Sequence, residues 1–103
     1  HIFVDKDDKI IGIIDFEGVA GGDPIRDFAR WHYLYQKNMP IDWLLAGYPK
    51  NLIPLNFEQR LHRNRIRNSL QMLHYYDYMH NPNGIRIVRE NIDLDLEFYR
   101  MVK

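Results

Sequence analysis

The sequence contains no cysteine, which excludes disulfide bonds and zinc sites built on thiolates and indicates a reducing, cytoplasmic setting. It has no apolar run near the ~20 residues that a membrane-spanning helix needs, and no segment patterned like a signal peptide. Fourteen Lys and Arg residues balance fourteen Asp and Glu residues, so the formal net charge is zero. Bulk charge therefore gives no reason to expect a nucleic acid or a membrane surface as a partner.

The sequence contains enough hydrophobic residues to form the core of one domain. The chain of 103 residues suffices for a single domain, and 46% of it is hydrophobic, including seven Tyr, five Phe and two Trp. It begins at His1, inside a run that is predicted to be a strand, without a starting Met. We therefore expect a piece of a longer protein whose missing part lies upstream.

Two β-branched runs predict a β-hairpin at the start of the chain. Residues 2–5 and 9–15 are largely apolar, and the Asp-rich residues between them form a polar turn. The second run, over 9–14, is predicted to be a buried strand because it is short, continuous and apolar. Pairing the two strands brings His1 beside Asp15.

About four helices are predicted after the hairpin. Apolar residues recur at helical spacing over 24–37, 41–47, 57–80 and 85–101, with breaks rich in Asn and Pro between these segments. Asp23 and Pro24 predict the first helix start, with Asp as the N-cap and Pro at the first helical position. The predicted fold class is α+β: one unit over 1–103, with a hairpin over 1–15 and a helical part over 16–103.

The stretch over 12–27 organises the chain as a strand, an acidic tip, a glycine-rich loop and a capped helix. Asp15 puts a carboxylate at the carboxyl end of the strand, and Glu17 follows on the same side if the segment is extended. Such oxygens can coordinate Mg²⁺, and His1 adds an imidazole that ligates metals when it is neutral. The alternatives are a turn-capping Asp and a solvated loop acid, and Mg²⁺ prefers oxygen to imidazole nitrogen.

Other charged residues have structural interpretations. Asp23 and Asp27 flank the first helix start, where they satisfy free N–H groups and favour the positive end of the helix dipole. The helix face from Arg60 to Arg67 is basic and includes His62, with Glu58 beside it. It predicts either a contact with an acidic partner or RNA, or a solvated face on which Glu58 reaches neighbouring arginines. We favour the solvated face.

Four motifs together resemble the kinase-like small-molecule phosphotransferases, the superfamily of the aminoglycoside phosphotransferases and choline kinases. They are His-Ile-Phe-Val-Asp at 1–5, Gly-Ile-Ile-Asp-Phe-Glu at 12–17, Gly-Asp-Pro at 22–24 and Asp-Phe-Ala at 27–29. The resemblance covers about the first thirty residues of the chain. It implies the helical C-terminal part of a protein-kinase-like fold, whose catalytic Asp, in a His-Gly-Asp motif, precedes His1.

The resemblance also implies roles for individual residues. Asp15 matches the strand-end Asp that holds Mg²⁺ in this family, and His1 takes the metal-site position that is more often Asn. Asp23 and Asp27 match the acids that brace the catalytic loop. Acids on the helices would receive the cationic groups of a substrate, and the candidates are Asp42, Asp77, Asp93, Asp95 and Glu97.

The intact protein is then expected to transfer the γ-phosphoryl group of ATP or GTP to a hydroxyl of a small molecule such as an aminoglycoside. This chain alone is expected to be inactive, because it has neither the nucleotide-binding lobe nor the catalytic base. One alternative is a non-enzymatic binding module that uses the face from Arg60 to Arg67, and another is a kinase-like scaffold that has lost its base. The exposed hairpin edge or apolar helix faces also predict a homodimer.

Overall fold

The computed structural model describes residues 1–14 and 21–102. In these residues two strands, β1 and β2, precede four α-helices, α1 to α4, which confirms the predicted α+β class. The elements are β1 (Ile2–Val4), β2 (Ile10–Ile13), α1 (Ile25–Tyr35), α2 (Asp42–Ala46), a 3₁₀ turn (Lys50–Leu52), α3 (Phe57–Tyr78) and α4 (Pro82–Met101). No helix in this part of the chain is long and apolar enough to cross a membrane.

The hairpin pairs β1 and β2 in antiparallel register. Ile2 lies opposite Ile13, and an irregularity follows Phe3, where β2 carries one residue more than β1. Asp5 Oδ1 closes the turn by accepting hydrogen bonds from the N–H groups of Asp7 at 2.8 Å and Lys9 at 3.0 Å. A short polar side chain thus stabilises the turn that the Asp-rich sequence predicts.

The predicted burial of residues 9–14 is wrong for this chain. Ile10 and Ile11 of β2 are 62% and 68% exposed, and the large apolar side chains of β1 are exposed as well. The main packing between elements joins α1 to α3 and α3 to α4. An apolar strand is buried only where another layer covers it, and a two-stranded hairpin supplies no such layer itself.

The apolar core lies where α1 meets α2 and the first half of α3. Phe28 is at its centre, with its ring packed edge-on against the rings of Tyr48 at 5.0 Å and Phe57 at 5.4 Å between centroids. The buried members are Ile25, Phe28, Ala29, Ile41 and Leu61. These residues fix α1, and therefore the residues just before it, against α3.

The helix boundaries differ from the predicted ones at three starts, and α2 begins at Asp42, one residue later than predicted. α4 begins at Pro82 rather than at 85, because Asn81 Oδ1 accepts the Gly84 N–H at 3.0 Å and Pro occupies the first turn. α1 begins at Ile25 with Pro24 as its N-cap, one position later than predicted. An Asn-Pro pair thus starts a helix here, although the sequence pattern predicted only a break.

Gly84 lets α4 approach α3 closely near their connection. A Cβ at this position would lie 2.6 Å from ring atoms of Tyr76, closer than side-chain carbons normally come. Tyr76 near the end of α3 and Gly84 near the start of α4 therefore pack directly on each other. Since Gln59 contacts Tyr99 at the other end of this pair of helices, α3 and α4 run antiparallel.

Candidate functional site

The predicted metal site lies at the open end of the hairpin. The Ile14 N–H donates a hydrogen bond of 2.9 Å to the carbonyl oxygen of His1, so the first residue of the chain lies beside the residue that precedes Asp15. Asp15 and Glu17 themselves lie outside the described residues. The structure therefore agrees with the hairpin part of the prediction and contains no information on the two carboxylates.

At this end of the hairpin, the carboxylate oxygens that Mg²⁺ prefers could come only from Asp15 and Glu17. Within residues 1–14 and 21–102, no group of three or more acidic or His side chains is arranged to hold a metal ion. Mg²⁺ commonly binds through one or two carboxylates plus phosphate oxygens and water, so a complete protein cage is not required. The side chain of His1, which is exposed, is the remaining candidate ligand from the described residues.

Asp23 connects the end of the glycine-rich loop to two helices. Its Oδ1 accepts the Ile25 N–H at 3.1 Å, and its Oδ2 forms an ion pair with the guanidinium of Arg60 on α3. Both side chains are about one-third exposed, so the pair positions the chain more than it stabilises it. These contacts agree with the structural role predicted for Asp23, while Asp27 is exposed in the first turn of α1.

The interpretation of the Arg60 to Arg67 stretch as a solvated face is wrong for Arg65, which is only 5% exposed. Arg60 is about one-third exposed and pairs with Asp23. Arg63 and Arg67 are exposed, and Glu58 forms no ion pair with them in the described part of the chain. The sequence contained a signal for this division, because Leu61, Arg65 and Ser69 are spaced by four and all lie on the buried side of α3.

Arg65 is the centre of a buried charge cluster that joins α1, α3 and α4. Its Nε donates to Asp95 Oδ1 at 2.7 Å, its Nη2 to Asn91 Oδ1 at 3.0 Å, and its Nη1 to His32 Nδ1 at 3.1 Å. His62 Nδ1 lies 2.7 Å from the same oxygen of Asp95. We call His32, His62, Arg65, Asn91 and Asp95 the charge cluster.

The electrostatics of the charge cluster keep His32 neutral. Burial, followed by the positive charge of Arg65, lowers the pKa of His32 from 6.5 to about 4. A neutral His32 can accept the Arg65 hydrogen bond at Nδ1, which a protonated imidazole cannot do. Asp95 is fully buried, and its Oδ2 has no hydrogen-bond partner in the described residues.

The position of Asp95 in the charge cluster contradicts its predicted role as a substrate contact. Asp95 was predicted to be a candidate for receiving a cationic group of a substrate, but its carboxylate is buried and its charge is paired with Arg65. Glu97 is exposed and pairs with Arg100 at 2.9 Å. The other candidates, Asp42, Asp77 and Asp93, are exposed.

α3 carries a shallow groove along its surface. The groove has a volume of about 660 Å³, and all of its lining residues belong to α3: Arg63, Ile66, Arg67, Leu70, Gln71 and His74. A smaller depression of about 460 Å³ adjoins it and shares Arg63. The groove therefore contains the two exposed arginines of the stretch from Arg60 to Arg67.

Comparisons of this chain with protein-family models, with curated proteins and with solved structures find no match. Its function is therefore inferred from its own motifs and contacts. The features that bear on function are the open end of the hairpin, the Asp23–Arg60 ion pair, the charge cluster and the groove on α3.

Proposed function

We propose that this chain is the C-terminal part of a phosphotransferase that moves the γ-phosphoryl group of ATP or GTP to a hydroxyl of a small molecule such as an aminoglycoside. The observation that carries this proposal is the hydrogen bond from the Ile14 N–H to the His1 carbonyl oxygen. This hydrogen bond places His1, the first residue of the first motif, beside Ile14, the residue that precedes Asp15.

In this proposal the carboxylate of Asp15 binds Mg²⁺, and His1 supports that coordination. Mg²⁺ held by these residues would supply positive charge that offsets the negative charge of the nucleotide phosphates. The Asp that orients the acceptor hydroxyl is assigned to a segment that precedes His1, so this chain alone is inactive. The lack of cysteine supports a reducing, cytoplasmic location for the enzyme.

The Asp23–Arg60 ion pair supports the same proposal. Asp23 matches the acid of the Gly-Asp-Pro motif, whose role in the resembling family is to brace the catalytic loop. Here one carboxylate oxygen binds the start of α1 and the other binds α3. These two contacts hold residue 23 in a constant position relative to α1 and α3.

The exposed acids of the helical part support a cationic acceptor. Asp42, Asp77 and Asp93 are exposed, whereas Asp95 is committed to Arg65. A carboxylate pairs favourably with the ammonium groups of an aminoglycoside or with the cation of choline. The acceptor is identified by assaying full-length protein with ATP and with GTP against aminoglycoside, macrolide, choline, homoserine and sugar acceptors.

The decisive experiment replaces Asp15 by Asn in the full-length protein. Loss of the carboxylate is expected to lower kcat by about 10²-fold or more, because preorganised charge at the transferring phosphoryl group is a large catalytic contribution. The matched control is Asp8→Asn. Asp8 is an exposed turn acid with φ of 60°, a conformation that Asn adopts readily, so this variant is expected to retain full activity.

A second readout separates metal binding from folding. Mn²⁺ is expected to broaden the backbone NMR signals of His1 and Ile14, and the broadening is expected to disappear in Asp15→Asn but to persist in Asp8→Asn. Circular dichroism of both variants checks the fold. An Asp15→Asn enzyme with unchanged kcat, or equal Mn²⁺ broadening in both variants, would refute the proposed role of Asp15.

A further inference from the structure

The groove on α3 is lined by residues that do not hydrogen-bond to the neighbouring helices in the described part of the chain. α3 bonds to α1 and α4 through Gln59, His62, Arg65 and Ser69, which lie along one side of the helix. The lining residues are different ones, spaced at 63, 66, 67, 70, 71 and 74, so they form one continuous helical face. This face is about 16 Å long, or roughly three helical turns.

The charge on this face is unbalanced although the chain as a whole is neutral. Arg60 and Arg65 have carboxylate partners, whereas Arg63 and Arg67 form no ion pair in residues 1–14 and 21–102. Like charges four residues apart on a helix repel each other and destabilise it slightly. A ligand with two carboxylates in register would remove that repulsion and pair both guanidiniums.

Apolar side chains lie between the charged ones. Leu70 is 56% exposed and Ile66 is partly exposed, and both line the groove together with the arginines. An alternation of aliphatic and basic residues along a helix face complements an amphipathic helix that carries apolar residues at i, i+3, i+4 and i+7 with acids beside them. The size of the face fits two to three turns of such a helix.

The same residues disfavour RNA. Leu70 and Ile66 offer no flat ring on which bases stack, and His74 provides the one imidazole among the lining residues. Tracking a phosphate backbone also requires a longer row of cations than Arg63 and Arg67 supply. The charge and the apolar content together therefore indicate a protein segment.

We propose that the face of α3 from Arg63 to His74 is a docking site for an acidic amphipathic helix of a partner protein. Arg63 and Arg67 bind its carboxylates, and Ile66 and Leu70 contact its apolar side. The interaction is independent of phosphoryl transfer, since it uses none of the residues assigned to the metal site.

The test measures binding of a defined probe to the full chain by fluorescence anisotropy. The probe is a labelled helical peptide of about 15 residues, with Leu at the i, i+3, i+4 and i+7 positions and Glu beside them. The double variant Arg63→Gln/Arg67→Gln is expected to bind it about tenfold or more weakly, with a smaller dependence on salt. Leu70→Ser is expected to weaken binding without changing that salt dependence.

The matched control is Arg86→Gln/Arg89→Gln. It removes the same charge from exposed positions on α4 and is expected to bind the peptide within about twofold of the original chain. Thermal unfolding is expected to show that Arg63→Gln/Arg67→Gln is at least as stable as the original chain, so a loss of binding is not a loss of fold.

Four outcomes would overturn the proposal. The first two are no binding of the acidic peptide, and an equal loss of affinity for it in the two double variants. The other two are equally tight binding of a control peptide in which every Glu is Gln, and tighter binding of a poly-uridine RNA that carries the same charge as the acidic peptide. Self-association through this face is a fifth: it would appear in sedimentation as a dimer that Arg63→Gln/Arg67→Gln dissociates, and it would replace the partner helix by a second copy.

Discussion

The helical part of this protein buries two charged side chains, whereas the hairpin leaves its large apolar side chains exposed. The helical part buries Asp95 completely and Arg65 almost completely between α1, α3 and α4. The hairpin instead exposes seven large apolar side chains by at least half: Ile2, Phe3, Val4, Ile10, Ile11, Ile13 and Ile14. Residue type alone therefore does not determine burial here, because burial also requires a second element that packs against the first.

The helical part and the hairpin are also stabilised by different kinds of interaction. In the helical part, Arg65 donates hydrogen bonds to three residues on two other helices, so its burial makes the packing of α1, α3 and α4 specific. In the hairpin, the described contacts are the backbone pairing of two short strands and the Asp5 turn. A hairpin of this kind is only marginally stable by itself, which agrees with the expectation that another surface covers it.

Removing the Asp95 carboxylate is expected to destabilise the helical part strongly. Asp95→Ala leaves the Arg65 guanidinium buried without its anion, and such a loss typically costs about 3–5 kcal/mol in the free energy of unfolding. Urea unfolding followed by circular dichroism measures it. The exposed neighbour Asp93→Ala is the control, with an expected change within about 0.5 kcal/mol. Similar losses in the two variants would show that Arg65 does not depend on Asp95.

Lowering the pH tests the same cluster without a substitution. The folded-state pKa of His32 is about 4, below its ordinary value of 6.5, so the unfolded chain binds the proton more readily. The contribution of neutral His32 is fully present above about pH 6.5 and is lost as the pH falls toward 4. His32→Gln is expected to lose less stability than the original chain over this window, measured by thermal melts at each pH.

The exposed His80→Gln variant controls for a general effect of removing an imidazole, and it is expected to retain the pH dependence of the original chain. NMR titration of the His32 ring gives a direct check. A midpoint near 6.5 would contradict the neutral, hydrogen-bonded state of His32 that the charge cluster requires.

A substitution in the hairpin is expected to cost less stability than the same substitution in the helical core. Ile13 of β2 is 50% exposed, whereas Ile25 of α1 is 1% exposed, so the same change to Thr tests two environments. Ile25→Thr is expected to cost about 2 kcal/mol or more, and Ile13→Thr less than about 1 kcal/mol. Differential scanning calorimetry of both variants measures this difference.

The hairpin variant also addresses the proposed homodimer. If two copies associate through exposed hairpins, Ile13→Thr is expected to raise the dissociation constant measured by sedimentation. An equal stability loss at Ile13 and Ile25, independent of protein concentration, would show that the hairpin is covered within a single copy.

Local patterns were sufficient to predict the elements of the fold. The β-branched runs on either side of an Asp-rich turn predicted the hairpin, and apolar spacing predicted the helices to within a few residues. Asp23 was correctly predicted to satisfy an N–H at the start of α1. These features depend on interactions between residues close in sequence, which is why they can be inferred without the fold.

The partners of the charged residues were not predictable in the same way. The charges of Arg60 and Arg65 suggested a solvated face, but Asp23 and Asp95 lie 37 and 30 residues away from them in the chain. A list of acids on the helices likewise could not distinguish buried Asp95 from exposed Asp93. Only the spacing of Leu61, Arg65 and Ser69 marked Arg65 as buried, and that signal does not name its partner.

Local sequence is enough to predict the order of the elements, the turn of the hairpin and the hydrogen bond of Asp23 near the start of α1, because these depend on backbone preferences and on contacts within a few residues. The packing of the helices buries Arg65 and Asp95 together and leaves Arg63 and Arg67 exposed, and β2 stays exposed because no described element covers it. None of this follows from local sequence, since desolvation is a property of the packed chain. A side chain loses its water only when a distant segment of the chain takes the place of that water.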